Sequence, residues 1–338
     1  PLEYLIVLSC ASISFDNVSF PRGLQFHSAA THSSPELKSY GFFGRNCRPS
    51  PVFNFRPYTS EDFRRVEEQL DDDCRKGKIL ARERDIVMSL FAEVYRRPDV
   101  LERATYSEQM CVTNFELWRR CFQGSRPTVP DLLYLEQETL VARLLLKYHL
   151  ESDTTIWHIL FDPDCFDLIL QYFDGMDVAF SEKDGWGTYL FWAIPPGGKY
   201  RLQLRKRGNE LVSHDGSYRV GLNPKDLRRA LEAREIFSST LMDFIVLSFY
   251  YGLKCLGGFN QVNYLTQMKN AYLKMQVDRG NYRSVEMCAR AQTKEMCDGF
   301  SLAFLGCGEA MTLATGIDFL FYGEPGALAK ILKVCTTI

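Results

Sequence analysis

The spacing of apolar and polar residues divides the chain into blocks with different periods. Residues 1–58 read as strand and loop: a first β-strand over Glu3–Phe15, then turn residues at Pro21-Arg22-Gly23, Gly41–Arg48 and Pro49–Pro51. Residues 59–172 carry a helical period. Thr59-Ser60-Glu61-Asp62 has the form of a capping box, and a helix over Ile86–Arg97 ends at Pro98, which cannot continue it. Another helix covers Ser107–Phe122. A further one is expected to start at Pro130, with Leu133, Leu140, Val141, Leu144, Leu145 and Tyr148 on one stripe and Glu136, Arg143 and Lys147 polar.

Near residue 177 the period becomes alternating. Thr188–Ile194, Tyr200–Arg205, Glu210–Ser213 and Tyr218–Gly221 form an expected antiparallel meander, turning at Pro195–Gly198, Arg207-Gly208-Asn209 and His214–Ser217. Asn223-Pro224 then opens a helical section to about residue 298, and strand–turn–helix is expected over 301–317. A strand-rich N-terminal segment, a helical block, an antiparallel meander and a second helical block define an α+β fold. One integrated domain over 1–338 is the expectation, with 1–175 and 176–338 as the alternative division.

Composition narrows the function classes. A formal net charge of −2 gives no overall basic excess of the kind that nucleic-acid binding uses. The longest apolar run, Leu241–Leu253, contains Asp243 and is too short to cross a bilayer, so it reads as a buried helix. Leu5–Leu8 followed by Ser9-Cys10 has the outline of a lipoprotein signal without its basic leader, and a strand is the better reading. The 11 cysteines include no CxxC pair, which points to free, mostly buried thiols in a reducing, cytoplasmic compartment.

Candidate chemistry centres on Gly306-Cys307-Gly308. Read as the end of a strand running straight into a helix, this segment would set the Cys307 thiol at a helix N-terminus, where the macrodipole favours thiolate. The amides around Gly306 and Gly308 would then bind an oxyanion. His158 or His214 would supply the base. Arg201 and Arg205, on an alternating basic stripe, and Asn260 and Gln261, beside paired glycines, are candidate ligand contacts.

Three motifs resemble known families but depart from them in context. His158-Ile-Leu-Phe-Asp162 looks like the HxxxD motif of CoA-dependent acyltransferases, yet its companion-like Asp184-Gly185-Trp186-Gly187 follows after only 22 residues. Leu305-Gly306-Cys307-Gly308 resembles the glycine loop of Rossmann-type methyltransferases, but only 30 residues follow Gly308, too few for the strand–helix units required. Asp71-Asp72-Asp73 resembles the metal-binding aspartates of terpene cyclases, whose all-helical fold the meander excludes. No family is assigned on these grounds, and no cofactor or metal is implied. The reading is an enzyme using a cysteine nucleophile for acyl or amide transfer, or hydrolysis, on a small-molecule substrate. Its alternative is a noncatalytic binding or assembly protein that forms homo-oligomers through aromatic-rich surfaces.

Overall fold

The computed structural model describes residues 3–15, 23–30, 35–122, 129–294, 304–307 and 310–323. From the N-terminus come β1 (Tyr4–Ser9), β2 (Leu24–Ser28), β3 (Glu36–Tyr40), α1 (Ser60–Arg75), α2 (Ala81–Leu90), α3 (Pro98–Leu101) and α4 (Tyr106–Cys121). Next are β4 (Asp131–Glu136), α5 (Gln137–Leu144), α6 (Thr155–Phe161) and α7 (Pro163–Phe173). The meander region holds β5 (Phe180–Ser181), β6 (Trp186–Gly187), β7 (Phe191–Ala193), β8 (Leu202–Arg207), β9 (Glu210–Ser213) and β10 (Arg219–Gly221). After it follow α8 (Pro224–Glu232), β11 (Ile236–Ser238), α9 (Thr240–Phe244), α10 (Phe259–Asp278) and α11 (Tyr282–Ala289). The described part ends with β12 (Phe304–Cys307), β13 (Ala310–Leu313) and α12 (Gly316–Tyr322). Helices with several antiparallel sheets make this an α+β fold.

Two compact units share the chain. The first comprises residues 1–9, 13–136 and 301–338; the second comprises residues 10–12 and 137–300. Residues 173–176 therefore lie inside the second unit.

The first unit is built on buried aromatic rings. Phe63 of α1 meets Phe42, Phe91 and Tyr58 at centroid distances of 4.8, 4.9 and 5.0 Å, tilted or edge to face. Such geometry sets ring edges against ring faces and adds to the burial of large apolar area. Where α1 begins, the Asp62 carboxylate accepts the Thr59 amide at 2.9 Å, realising the expected cap. α2 starts earlier than expected, at Ala81, and its last turn widens into a π-helical turn over Phe91–Tyr95; Pro98 then opens α3 instead of merely ending a helix.

The expected helix from Pro130 is replaced at its start by β4, which pairs in parallel with β1 from Tyr4↔Asp131 to Ser9↔Glu136. Leu132 and Glu136 turn inward while Leu133 and Leu135 turn outward, so period 2 wins over period 3.6 until Gln137, where the helix begins. β1 itself stops at Ser9, short of the expected Phe15. The segment expected as strand–turn–helix is instead an antiparallel hairpin, β12–β13, and the following helix begins only at Gly316.

The second unit contains the meander as one five-stranded sheet in the order β10-β9-β8-β7-β11. Gly208 turns β8 into β9 with φ +57°, a left-handed conformation that costs glycine nothing. β11 lies in a region expected to be helical; its Ile236-Phe237-Ser238 is fully buried against β7. Asn223 caps α8 by accepting the Asp226 amide at 3.0 Å, with Pro224 at the first helical position as expected. Arg205 of β8 is 7% exposed and holds the β5–β6 hairpin through the carbonyls of Gly187 and Trp186, both at 3.1 Å, and Glu182 at 3.1 Å.

α5 and α9 each end in a π-helical turn, over Leu145–His149 and Ile245–Tyr250. His149 is 1% exposed, with Thr154 Oγ1 at 3.0 Å from Nδ1 and the Tyr251 hydroxyl at 3.0 Å from Nε2. Thr154 Oγ1 also accepts the Trp157 amide, so one hydroxyl caps α6 and holds the imidazole. Burial lowers the His149 pKa from 6.5 to about 4. Below 6.5 the unfolded chain takes a proton that the folded state refuses until about 4, so this group's contribution is complete above 6.5 and lost on acidification. A His149→Gln variant is expected to lose less stability than the wild type between pH 6.5 and 5, the difference approaching ~1.4 kcal/mol per pH unit in urea titrations. Parallel pH profiles would refute the assignment.

Candidate functional site

Within the second unit, the start of α5 and the turn Cys10–Ser12 build a buried polar centre. Glu138 lies in the first turn of α5 and is completely buried. Its carboxylate accepts the amides of Ala11 at 2.9 Å and Ser12 at 2.7 Å, fixing both oxygens. The Cys10 thiol donates to Glu138 Oε1 at 3.7 Å and lies 3.2 Å from Ser12 Oγ. Cys10 is half-buried as a residue, whereas Glu138 is completely buried.

A second carboxylate, Asp243 of α9, is also fully buried. It accepts Gln137 Nε2 at 2.7 Å and the Ser238 hydroxyl. Burial first, and the charge of Glu138 second, raise its pKa well above the ordinary carboxylate value, while those two hydrogen bonds pull the other way. Burial and the charge of Glu138 thus bias Asp243 toward its protonated form. The Cys10 thiol is pushed strongly upward by burial and then by Glu138. It rests as thiol, and attack requires that its proton be taken.

Around this centre, burial raises the Tyr264 phenol to about 12, with Cys10 and Cys255 adding to the effect. Cys255 accepts the Ser248 hydroxyl at 3.1 Å, and its carbonyl accepts Gln261 Nε2 at 3.2 Å. Arg201 stacks over Trp192 at 4.2 Å and donates to the Ser12 carbonyl. Two residues expected as ligand contacts, Arg201 and Gln261, are therefore tied to the segments that carry this centre.

The other expected residues fare differently. Cys307 ends β12 opposite Ala310, and β13 intervenes before α12 begins, so the thiolate argument loses its helix N-terminus. Gly306 pairs with Met311, and a Cβ there would meet open space, so no sharp turn demands glycine. Gly308 lies outside the described residues. Cys307 belongs to the first unit while His158 and His214 belong to the second, so neither unit by itself holds that nucleophile with that base. His158 Nε2 lies 2.7 Å from Asp153, on a helix that ends at Asp162, the cap of α7. His214 is exposed in the β9–β10 turn, and Asn260 is exposed in the first turn of α10. Arg205 is committed to the β5–β6 hairpin, which leaves its guanidinium engaged by protein carbonyls and Glu182.

Sequence reasoning missed Cys10, Glu138 and Asp243 as a group. The available signal was Asp243 inside the longest apolar run, since an acid there must be buried with partners. Among the described residues no group of three or more His, Cys, Asp or Glu side chains is placed to hold a metal ion, and no helix is long and apolar enough to cross a membrane. Cys10, Cys47, Cys74, Cys111, Cys121, Cys165, Cys255 and Cys288 are free thiols. No protein-family model, no curated protein and no solved structure matches this chain.

The Asp243 assignment has a thermodynamic signature. Above pH 3.8 the unfolded chain releases the Asp243 proton that the folded state keeps, so this group's contribution is complete below 3.8 and lost as pH rises through the folded value. Asp243→Asn is expected to gain stability on the wild type by ~1.4 kcal/mol per pH unit within that window, read from urea midpoints at successive pH values. A constant difference across pH would show that Asp243 is ionised.

Proposed function

We propose that the second unit carries out thiol-dependent acyl transfer or hydrolysis on a small carbonyl substrate, with Cys10 as nucleophile. The observation that supports this most is the Cys10 thiol donating to Glu138 at 3.7 Å, with Glu138 immobilised by two backbone amides. A thiol whose pKa is raised is a poor nucleophile until a base removes its proton, and Glu138 is placed to accept it. The S–H bond breaks, the proton passes to Glu138, and sulfur bonds to the acyl carbon. The leaving group departs with the proton that Glu138 has taken; water or an acceptor then gives a proton to Glu138 and bonds to the acyl carbon, and the released sulfur regains its proton from Glu138. The nucleophile differs from the Cys307 of the sequence expectation, while the reaction class is the same.

The test is acylation of the full chain by p-nitrophenyl acetate, acid quenching and peptide mapping by mass spectrometry. Acetyl is expected on Cys10, absent in Cys10→Ala and reduced ~100-fold in rate in Glu138→Gln. Cys307→Ala should acylate normally. Acetylation of Cys307 with none on Cys10 would sink the proposal.

A second reading, self-association, rests on the first unit. Tyr4, Ile6, Leu133 and Leu135 share the outer face of the β1–β4 pair at 48, 55, 37 and 39% exposure. Two-stranded parallel sheets with an open apolar face are unusual, because parallel strands normally have both faces covered. Phe304, Met311 and Leu313 are similarly exposed on the β12–β13 hairpin. Sedimentation velocity should then show an oligomer that Ile6→Glu dissociates; a wild type that stays monomeric at high concentration removes this reading.

A further inference from the structure

The first unit brings a hydroxyl, an imidazole and a carboxylate into line. β2 supplies His27, β13 supplies Thr312 and the first turn of α12 supplies Asp318. Asp318 is 2% exposed, and its carboxylate accepts the amides of His27 and Thr315, each at 2.7 Å. His27 Nδ1 lies 2.8 Å from Asp318 Oδ2. An acceptor fixed by two backbone amides leaves Nδ1 the role of donor, and in the neutral ring Nε2 then carries the lone pair. Thr312 Oγ1 lies 3.4 Å from that Nε2 and keeps partial exposure.

Beneath this line the backbone is braced. The Tyr322 hydroxyl lies 2.9 Å from the His27 carbonyl oxygen, and Glu83 accepts Ser28 Oγ at 2.6 Å and the Ala29 amide at 3.0 Å. The imidazole thus sits between an orienting carboxylate and a hydroxyl, the relation by which hydroxyl-nucleophile triads are recognised whatever their chain order. Hydroxyl–imidazole distances are commonly long before substrate binds.

We propose that Thr312, His27 and Asp318 form a second nucleophilic centre, one that accepts small acyl esters and is independent of Cys10. The Thr312 O–H bond breaks, its proton moves to His27 Nε2, and Oγ1 bonds to the acyl carbon. The ester's alkoxide leaves with that proton, and water, deprotonated in turn by Nε2, returns the hydroxyl. Asp318 holds the ring in the required tautomer and acts as a positioning residue.

The experiment is labelling of the full chain by an alkyl fluorophosphonate, in which Oγ1 bonds to phosphorus and fluoride leaves. Cys10→Ala serves as background, so that thiol chemistry plays no part. An adduct mapped to Thr312 is expected, retained in Thr312→Ser and reduced at least ten-fold in Thr312→Val and in His27→Gln. Thr312→Val preserves side-chain shape, so the comparison stands even if the buried His27→Gln variant fails to fold. No adduct on Thr312 under conditions that saturate a control serine hydrolase would overturn the proposal, as would labelling undiminished in Thr312→Val.

Discussion

Segments leaving a strand carry peptide N–H groups with no neighbouring strand to satisfy them, and a buried donor without a partner is costly. This chain meets that constraint with buried carboxylates. Glu138 takes the amides of Ala11 and Ser12 just beyond β1; Glu83 takes those of Ala29 and Leu80; Asp318 takes those of His27 and Thr315. In each case a helical carboxylate closes onto a segment distant in sequence: Glu138 onto residues 10–12, Glu83 onto 28–29, Asp318 onto 27. A hydrogen bond to a charged acceptor contributes about 1.5–3 kcal/mol, against the several kcal/mol it costs to take a carboxylate out of water. Two such bonds per carboxylate bring the balance near zero, and the gain is a fixed geometry.

That fixed geometry has a chemical consequence. A carboxylate whose oxygens are pinned by backbone cannot turn away from a neighbouring side chain. Cys10 beside Glu138 and His27 beside Asp318 are both held in orientations that would otherwise have to be selected from several rotamers. Asp243 follows from the same arrangement, because its burial and the charge of Glu138 both raise its pKa. Loop anchoring and acid–base placement are here one structural device.

Much of the local architecture could be read from sequence. The Thr59 and Asn223-Pro224 helix starts, the α4 helix and the meander with its glycine turns depend on neighbours a few residues away. The α+β class followed from them. The failures are nonlocal. β4 is a strand because β1 lies alongside it, a pairing across more than a hundred residues, and its leucines fit a helical stripe equally well when read alone. β12–β13 differs from a strand–helix unit only in where the chain reverses. The candidate centre shared this fate: Glu138 looked like an ordinary polar residue in a helix, and Cys10 like the end of a strand. Asp243 alone was visible as an anomaly, since no periodicity places an acid within a buried run by choice.

The exchange of Cys307 for Cys10 turns on how a cysteine can be made reactive. A helix N-terminus would stabilise a standing thiolate, whereas the Cys307 backbone pairs with Ala310 in the β12–β13 hairpin. Cys10 has the opposite environment, in which burial and a carboxylate both disfavour the anion. Such a thiol resists alkylation and oxidation at rest, because both reactions need the thiolate. On the proposed mechanism it becomes nucleophilic only when an electrophile draws the proton toward Glu138, so that charge moves from sulfur to the substrate oxygen within one step. Reactivity is then coupled to substrate binding, and a general thiol reagent is a poor reporter of it. An acyl donor is the appropriate probe because it supplies the electrophile that this arrangement lacks at rest.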